Sequence, residues 1–370
     1  MMQKALFPGQ YLQGAGALNE LAALVQKYGS KALLLSSPSV IKNILPALKD
    51  KLAADRFVIE QFGGECSQTE LKRVSGLIST GGIDVIIGMG GGKTIDCAKI
   101  TADWAGIPVI IVPTIASTDA PCSGCAVTYS PAGTFESVLY QKQNPAVVLV
   151  DLAVIAAAPV RFLVAGMGDA LATWFEARSC DRSKSLNECG GLSTLAGLGI
   201  AQLCYQTLLE YGYQAKIANQ EGLITPALSK ITEANILLSG IGFESCGIAC
   251  AHAVHNGLTV LEATHAFYHG EKVAFGVLTG LHLTAADGDE IDEVYSFCEQ
   301  IGLPTTLADI GLSKDQQEDL MKVAIESCKD GSSMHKEAGN VTADQVYNAI
   351  LMADAWGRER RLLPNLQAGR

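Results

Sequence analysis

Apolar runs and amphipathic stretches alternate through the first 150 residues of the chain. Short β-rich runs cover 32–36, 57–62, 84–88, 108–113 and 146–151, and stretches of helical period fill 39–51, 69–80 and 93–104 between them. Runs of that length separated by helices predict a parallel sheet with helices on its faces. After Pro159 the β-rich runs stop. Long Ala/Leu/Glu-rich amphipathic patterns follow, among them 194–211, 226–240 and 316–329, with Pro304, Gly311 and Gly331 marking breaks. The expected architecture is an α/β N-terminal domain over residues 1–158 and an all-α C-terminal domain over 159–370.

Composition narrows the function classes. A chain of 370 residues with 48% apolar and 18% charged residues has enough buried surface for two cores. A net charge of -11 argues against nucleic-acid partners, which need a basic surface. The one short basic cluster, Arg358–Arg361, reads as a solvated helix end. The most apolar run, 146–160, carries Asp151 and Pro159 and is too short to span a bilayer, so no membrane association is expected. The N-terminal segment lacks an apolar signal core. Eleven cysteines, an odd number scattered through a large chain, read as reduced thiols, which points to a cytoplasmic protein.

Candidate chemistry starts at Gly88-Met89-Gly90-Gly91-Gly92-Lys93-Thr94, which follows the strongest predicted strand and opens a helix. Glycines there let the backbone approach an anion, and a helix N-terminus offers free N–H groups and a favourable dipole. Ligands of parallel sheets bind beyond the carboxyl ends of the strands, so the turn suits a pyrophosphate. Neither standard fingerprint fits: G-x-G-x-x-G would need Gly where Lys93 stands, and the P-loop would need Gly where Ile87 stands. The polar loop Pro113 to Pro121 follows another buried strand. It carries Thr114, Ser117, Thr118 and Asp119, a set equally ordinary as turn chemistry.

Five of the six histidines fall between residues 252 and 282, and none precedes 252. On helices, His252 and His255 share one face, as do His265 and His269. An upstream carboxylate, Asp169, lies in Gly166-Met167-Gly168-Asp169-Ala170. Neutral imidazole and carboxylate are the usual nitrogen and oxygen ligands of a borderline divalent ion. Spacing alone does not choose among these histidines.

Taken together, these segments resemble the glycerol dehydrogenase branch of the iron-type alcohol dehydrogenase family. The matching motifs are Gly88 to Asp96, Pro113 to Ser123, Gly166 to Trp174, Gly242-Phe243-Glu244-Ser245, Ala251 to Gly257 and His269 to Gly276. They keep family order from about residue 10 to residue 356. The resemblance implies a dehydroquinate synthase-like fold, in which a nucleotide-binding domain and a helical metal-binding domain border a cleft. It implies Asp169, His252 and His269 as metal ligands. A nicotinamide cofactor is expected along Gly90, Gly91, Gly92, Lys93, Thr94 and Asp96, with Thr114, Ser117, Ser123, Cys125 and Tyr129 around its inner half. Asp119 resembles the residue that contacts a polyol. The implied reaction is reversible oxidation of a secondary hydroxyl of glycerol or a related vicinal diol, catalysed by Asp119, Asp169, His252 and His269. A homo-oligomer, as large as an octamer, is implied as well.

Three departures from the family pattern bear on this. The iron enzymes carry a fourth ligand, His, one helical turn after the Asp; here that position is Thr173, so three protein ligands remain and Zn2+ is expected. Ser37 stands where the glycerol enzymes carry an Asp for the adenosine ribose. An Asp would repel a 2′-phosphate and Ser does not, so NAD is expected with NADP tolerated. Cys122-Ser123-Gly124-Cys125 replaces a bulkier wall, which reshapes the pocket, and no second Cys pair with zinc spacing accompanies it. His255 and His265 are candidate proton relays, or else supporting or structural residues; His282 and His335 are read as structural. The competing expectation is a hydroxy-acid or hydroxyketone enzyme of the same fold, which would need Arg or Lys beside the metal; Lys272 and Arg178 are the nearest in sequence.

Overall fold

The computed structural model describes residues 2–131, 133 and 135–362. The chain forms two compact units, one of Leu6–Leu163 with Ile217–Ile241, the other of Met1–Ala5, Val164–Lys216 and Gly242–Arg370. A single break near residue 158 does not describe this interleaving. Its cause is polar anchoring of a returning helical segment. Asn219 donates to the carbonyls of Ile155 and Ala156, and Asn235 donates to those of Ala116 and Leu163. The N-terminal residues belong to the other unit because Leu192 N–H donates to Met2 and Lys4 N–H to Leu192.

The first unit holds a parallel sheet, as the sequence predicts, with one edge strand, Tyr11–Gly14, that was not expected. Its strands are β1 (Tyr11–Gly14), β2 (Ala32–Ser36), β3 (Phe57–Gln61), β4 (Val85–Gly90), β5 (Val109–Pro113) and, after a two-stranded hairpin, β8 (Val147–Asp151), in spatial order β1-β8-β5-β4-β2-β3. All pairings in this sheet are parallel. Strands β2, β4, β5 and β8 are buried along their whole length, which is why they read as unbroken apolar runs. Chain direction across the sheet reverses between β2 and β4, so Ser37 and Gly90 flank the position where open α/β sheets bind ligands. The hairpin itself, β6 (Cys125–Tyr129) and β7 (Phe135–Tyr140), is antiparallel and was not predicted. The single helix expected over 39–51 is instead two short ones, Pro38–Asn43 and Leu45–Leu48, because Pro46 cannot donate within a continuous ladder.

Helices build the second unit, the longest being Val160–Ser183, Leu195–Gln220 and Ala343–Leu362. Leu195–Gln220 outruns its predicted end by nine residues. Beyond it, Pro226–Glu233 and Ser239–Cys246 are joined by a π-helical turn, Ala234–Leu238, that turns the Asn235 side chain toward its two carbonyl partners. The Arg358–Arg361 helix end is exposed at Arg358 and Arg361, as expected, but Arg360 is partly buried and all three arginines are paired. Arg360 pairs with Asp292 and Glu299, Arg361 with Asp309 and Arg358 with Asp354. Among the described residues no single helix is long and apolar enough to cross a membrane.

Candidate active site

Three helices of the second unit bring Asp169, His252 and His269 together. Asp169 lies in Val160–Ser183, His252 in Cys250–Leu258, and His269 opens His269–Leu283. Small residues let these backbones touch: a Cβ on Gly276 would stand 2.4 Å from the Ala251 carbonyl oxygen, and one on Gly168 equally close to that of Gly270. Nε2 of His269 lies 3.0 Å and Nε2 of His252 3.6 Å from Asp169 Oδ1, and one donor atom from each residue falls within 4.8 Å of the others. Ligand atoms on a tetrahedron with bonds of about 2.0–2.1 Å stand roughly 3.3 Å apart, so this spacing suits one divalent ion.

Charge follows the geometry. Burial would raise the Asp169 carboxyl pKa, but His269 and the hydrogen bond with His252 reverse that and hold it far below the usual range. For His252 burial favours the neutral ring, but the Glu176 and Asp169 carboxylates together outweigh it and raise the pKa well above normal. His255 goes the other way, since burial and the neighbouring His269 and Lys272 keep it neutral. Its Nε2 lies 2.9 Å from His269 Nδ1, so it supports a candidate ligand.

Thr173 is buried, and its Cγ2 lies 2.4 Å from where a Cβ on Gly242 would be. Its methyl thus packs against backbone and leaves a three-donor set. The other histidines stand elsewhere: His265 bonds the Thr259 carbonyl, His335 that of Lys329, and His282 the Tyr295 hydroxyl. Glu176, which sequence reasoning missed, meets Nδ1 of His252 at 2.6 Å. Its signal was position: seven residues after Asp169, two helical turns along the same face.

The expected cofactor residues fall into separate groups in the first unit. Ser37, Gly90, Gly91, Gly92, Thr94 and Thr114 gather at the carboxyl edge of the sheet, where Ser37 N–H donates to Met89 and Thr114 N–H to Gly90, both at 3.1 Å. Gly90 is sterically required, because a Cβ there would meet Thr94 Oγ1 at 2.9 Å and Ser37 Cβ at 3.2 Å. Around Gly92 the nearest side-chain atom to such a Cβ is 3.9 Å away, which leaves the N-terminus of the helix Gly92–Ala105 uncovered. Lys93 turns aside: its Nζ pairs with Glu65 at 2.6 Å and lies 5.1 Å from the Tyr129 ring centre.

Asp96, Ser123 and Cys125 converge on Lys99, a second residue the sequence reading missed. This fully buried lysine donates to the carbonyls of Ala120, Ser123 and Cys125 and pairs with Asp96 at 3.4 Å. Asp96 also accepts from Val127 N–H. These contacts tie the loop and hairpin to the helix and give Asp96 a structural task. Asp119 is buried and accepts from Ser239 Oγ at 2.8 Å. Ser117 is half-buried in the same loop. Cys122 packs against Gly240, while Cys125 Sγ lies 3.4 Å from Ser123 Oγ, so the two thiols have different surroundings.

Comparison with known proteins agrees with this arrangement. Residues 8–152 match the iron-containing alcohol dehydrogenase family. A glycerol dehydrogenase of Thermotoga maritima is 52% identical over 98% of this chain and 100% of its own length, and one of Escherichia coli is 46% identical over 95% and 96%. The crystal structure of glycerol dehydrogenase from Schizosaccharomyces pombe superposes with a TM-score of 0.93 at 35% identity, covering 98% of this chain and 93% of that one. The chain belongs to the glycerol dehydrogenase branch of the iron-containing alcohol dehydrogenases.

Proposed function

We propose that this chain catalyses the reversible oxidation of glycerol to dihydroxyacetone, with NAD+ reduced to NADH and one proton released, at a zinc held by Asp169, His252 and His269. The observation that carries the reading is the convergence of these three donors in a chain 52% identical, end to end, to a glycerol dehydrogenase. A divalent ion bound there supplies Lewis acidity, which lowers the pKa of an alcohol hydroxyl toward neutrality.

The chain's own residues supply the rest. Asp169 offers a charged oxygen, and the two imidazoles offer nitrogen donors whose far sides are held by Glu176 and His255. A three-donor set leaves a coordination position for the substrate hydroxyl or water, the pattern of catalytic zinc. Gly90, Gly91 and Gly92, with the uncovered helix N-terminus behind them, fit the cofactor pyrophosphate. Ser37 faces the adenosine ribose and accepts a 2′-phosphate, so NADP serves less well but measurably. Asp119, oriented by Ser239, is the proposed contact for a polyol hydroxyl.

A neutral substrate suits the charges of the second unit. Arg178 is taken up by a bidentate pair with Glu290 at 2.6 and 2.9 Å and lies against Trp174 and Phe175, and burial lowers the pKa of Lys272. We further propose a cytoplasmic homo-oligomer. The test is a panel of alcohols and hydroxy acids assayed by cofactor absorbance with added zinc. Glycerol and 1,2-propanediol are expected to lead; preference for a hydroxy acid or a phosphorylated alcohol overturns the substrate assignment.

A further inference from the structure

Glu176 is 2% exposed and makes three hydrogen bonds, all to the segment that carries His252. Its Oε1 accepts from the backbone N–H of Ala249 at 2.8 Å and of His252 at 2.9 Å, and its Oε2 meets the Nδ1 of His252 at 2.6 Å. Carboxylate oxygens accept, as Oε1 does from both backbone N–H groups, so the imidazole is the donor in the third bond. The hydrogen therefore sits on Nδ1. In the neutral ring this leaves the Nε2 lone pair on the side of Asp169 Oδ1, 3.6 Å away.

We propose that Glu176 is a positioning residue of the metal centre: it fixes the Nδ1–H tautomer of His252 and so keeps Nε2 available to a divalent cation. The inference rests on the metal reading given above. Carboxylate support of this kind sets both the ring orientation and the basicity of a ligand histidine. His269 has a different arrangement, since its Nδ1 faces the neutral ring of His255. The two imidazoles are thus held unequally, one by a charge and one by a dipole.

Glu176→Gln isolates the effect because it preserves shape and reverses one bond. The two backbone N–H groups require an acceptor, so the Gln carbonyl oxygen takes the Oε1 position. Its amide then points at Nδ1 as a donor. That forces Nδ1 to accept and puts the ring proton on Nε2, the atom needed for the metal. Glu337→Gln is the control, since Glu337 accepts from Cys250 N–H at the start of the same helix and does not hydrogen-bond His252.

Zinc affinity, measured on the full-length chains by competition with a chromogenic chelator, is expected to fall about 10–100-fold in Glu176→Gln. It is expected to stay within about threefold of wild type in Glu337→Gln, a difference below 1 kcal/mol. Equal affinity in Glu176→Gln and wild type overturns the proposal. So does an equal loss in both variants, which makes anchoring of the helix start the cause. A wild-type chain that takes up no zinc overturns the metal reading itself, a separate failure. A second measurement needs no variant and covers the case of a misfolded one. Two-bond proton–nitrogen spectra of zinc-loaded wild type are expected to show His252 protonated on Nδ1; protonation on Nε2 overturns the proposal.

Discussion

Gly168 and Gly270 touch backbone to backbone where the helix carrying Asp169 crosses the start of the helix carrying His269. A Cβ on Gly168 would stand 2.4 Å from the Gly270 carbonyl oxygen, and one on Gly270 would stand 1.8 Å from that of Ala165. Each glycine adjoins a proposed ligand in sequence, so this contact sets the 3.0 Å separation between Asp169 Oδ1 and His269 Nε2. Any side chain there pushes the two donors apart.

Gly270→Ala therefore tests packing and site at once. Overpacking of a close contact costs about 1–3 kcal/mol. The variant is expected to melt at lower temperature and to retain less zinc after dialysis. Unchanged melting and unchanged metal content would show that the crossing does not position the ligands.

Ser37→Asp tests the cofactor assignment. A carboxylate beside Gly90 repels a 2′-phosphate and accepts from ribose hydroxyls. The ratio of kcat/KM for NAD to that for NADP is expected to rise at least about tenfold, equal to roughly 1.4 kcal/mol. A ratio that stays constant places the adenosine ribose away from Ser37.

Lys99→Met tests the buried cation of the first unit. It removes the cation paired with the buried Asp96 carboxylate and one donor from each of three carbonyls. Breaking a buried pair on one side costs about 3–5 kcal/mol. Denaturant unfolding is expected to show a loss of that order, and KM for the cofactor should rise because the loop 120–125 loosens. A variant as stable as wild type contradicts the structural task assigned to Lys99.

Much of this was legible in sequence. Strands β2, β4, β5 and β8 read correctly because buried parallel strands are unbroken apolar runs, and the half-exposed edge strand β3 read from its Phe57-Val58-Ile59 start. Strand β1 and the hairpin β6–β7 did not, since the partly exposed Tyr11–Gly14 and Cys125–Tyr129 strands carry no such run. The family resemblance selected Asp169, His252 and His269, and the geometry brings them together. Glu176 and Lys99 escaped because a lone charge in an Ala-rich helix looks like surface, and only tertiary packing shows it to be inside. The interleaved units were equally hidden, as Asn219 and Asn235 are unremarkable until their distant carbonyl partners are known.

Acid sensitivity follows from Asp309. Burial would raise its carboxyl pKa, but Arg361, the N–H of Thr305 and the Thr306 hydroxyl lower it below normal. A carboxylate with a depressed folded-state pKa adds stability above its unfolded value of about 3.9 and loses it as pH falls through the folded one. Wild type is expected to exceed Asp309→Asn in stability near neutral pH, with the gap closing below about pH 4. A gap independent of pH would assign the effect to shape alone.

The most direct measurement is glycerol-dependent NADH formation by chelator-stripped protein as zinc is added back. Activity is predicted to start near zero, rise with zinc and saturate at about one ion per chain, the stoichiometry of a single three-ligand site, while Asp169→Asn binds NADH normally yet stays inactive throughout. Full activity in the stripped protein, or zinc-restored turnover in Asp169→Asn, would contradict the assignment of these three residues as the catalytic metal centre.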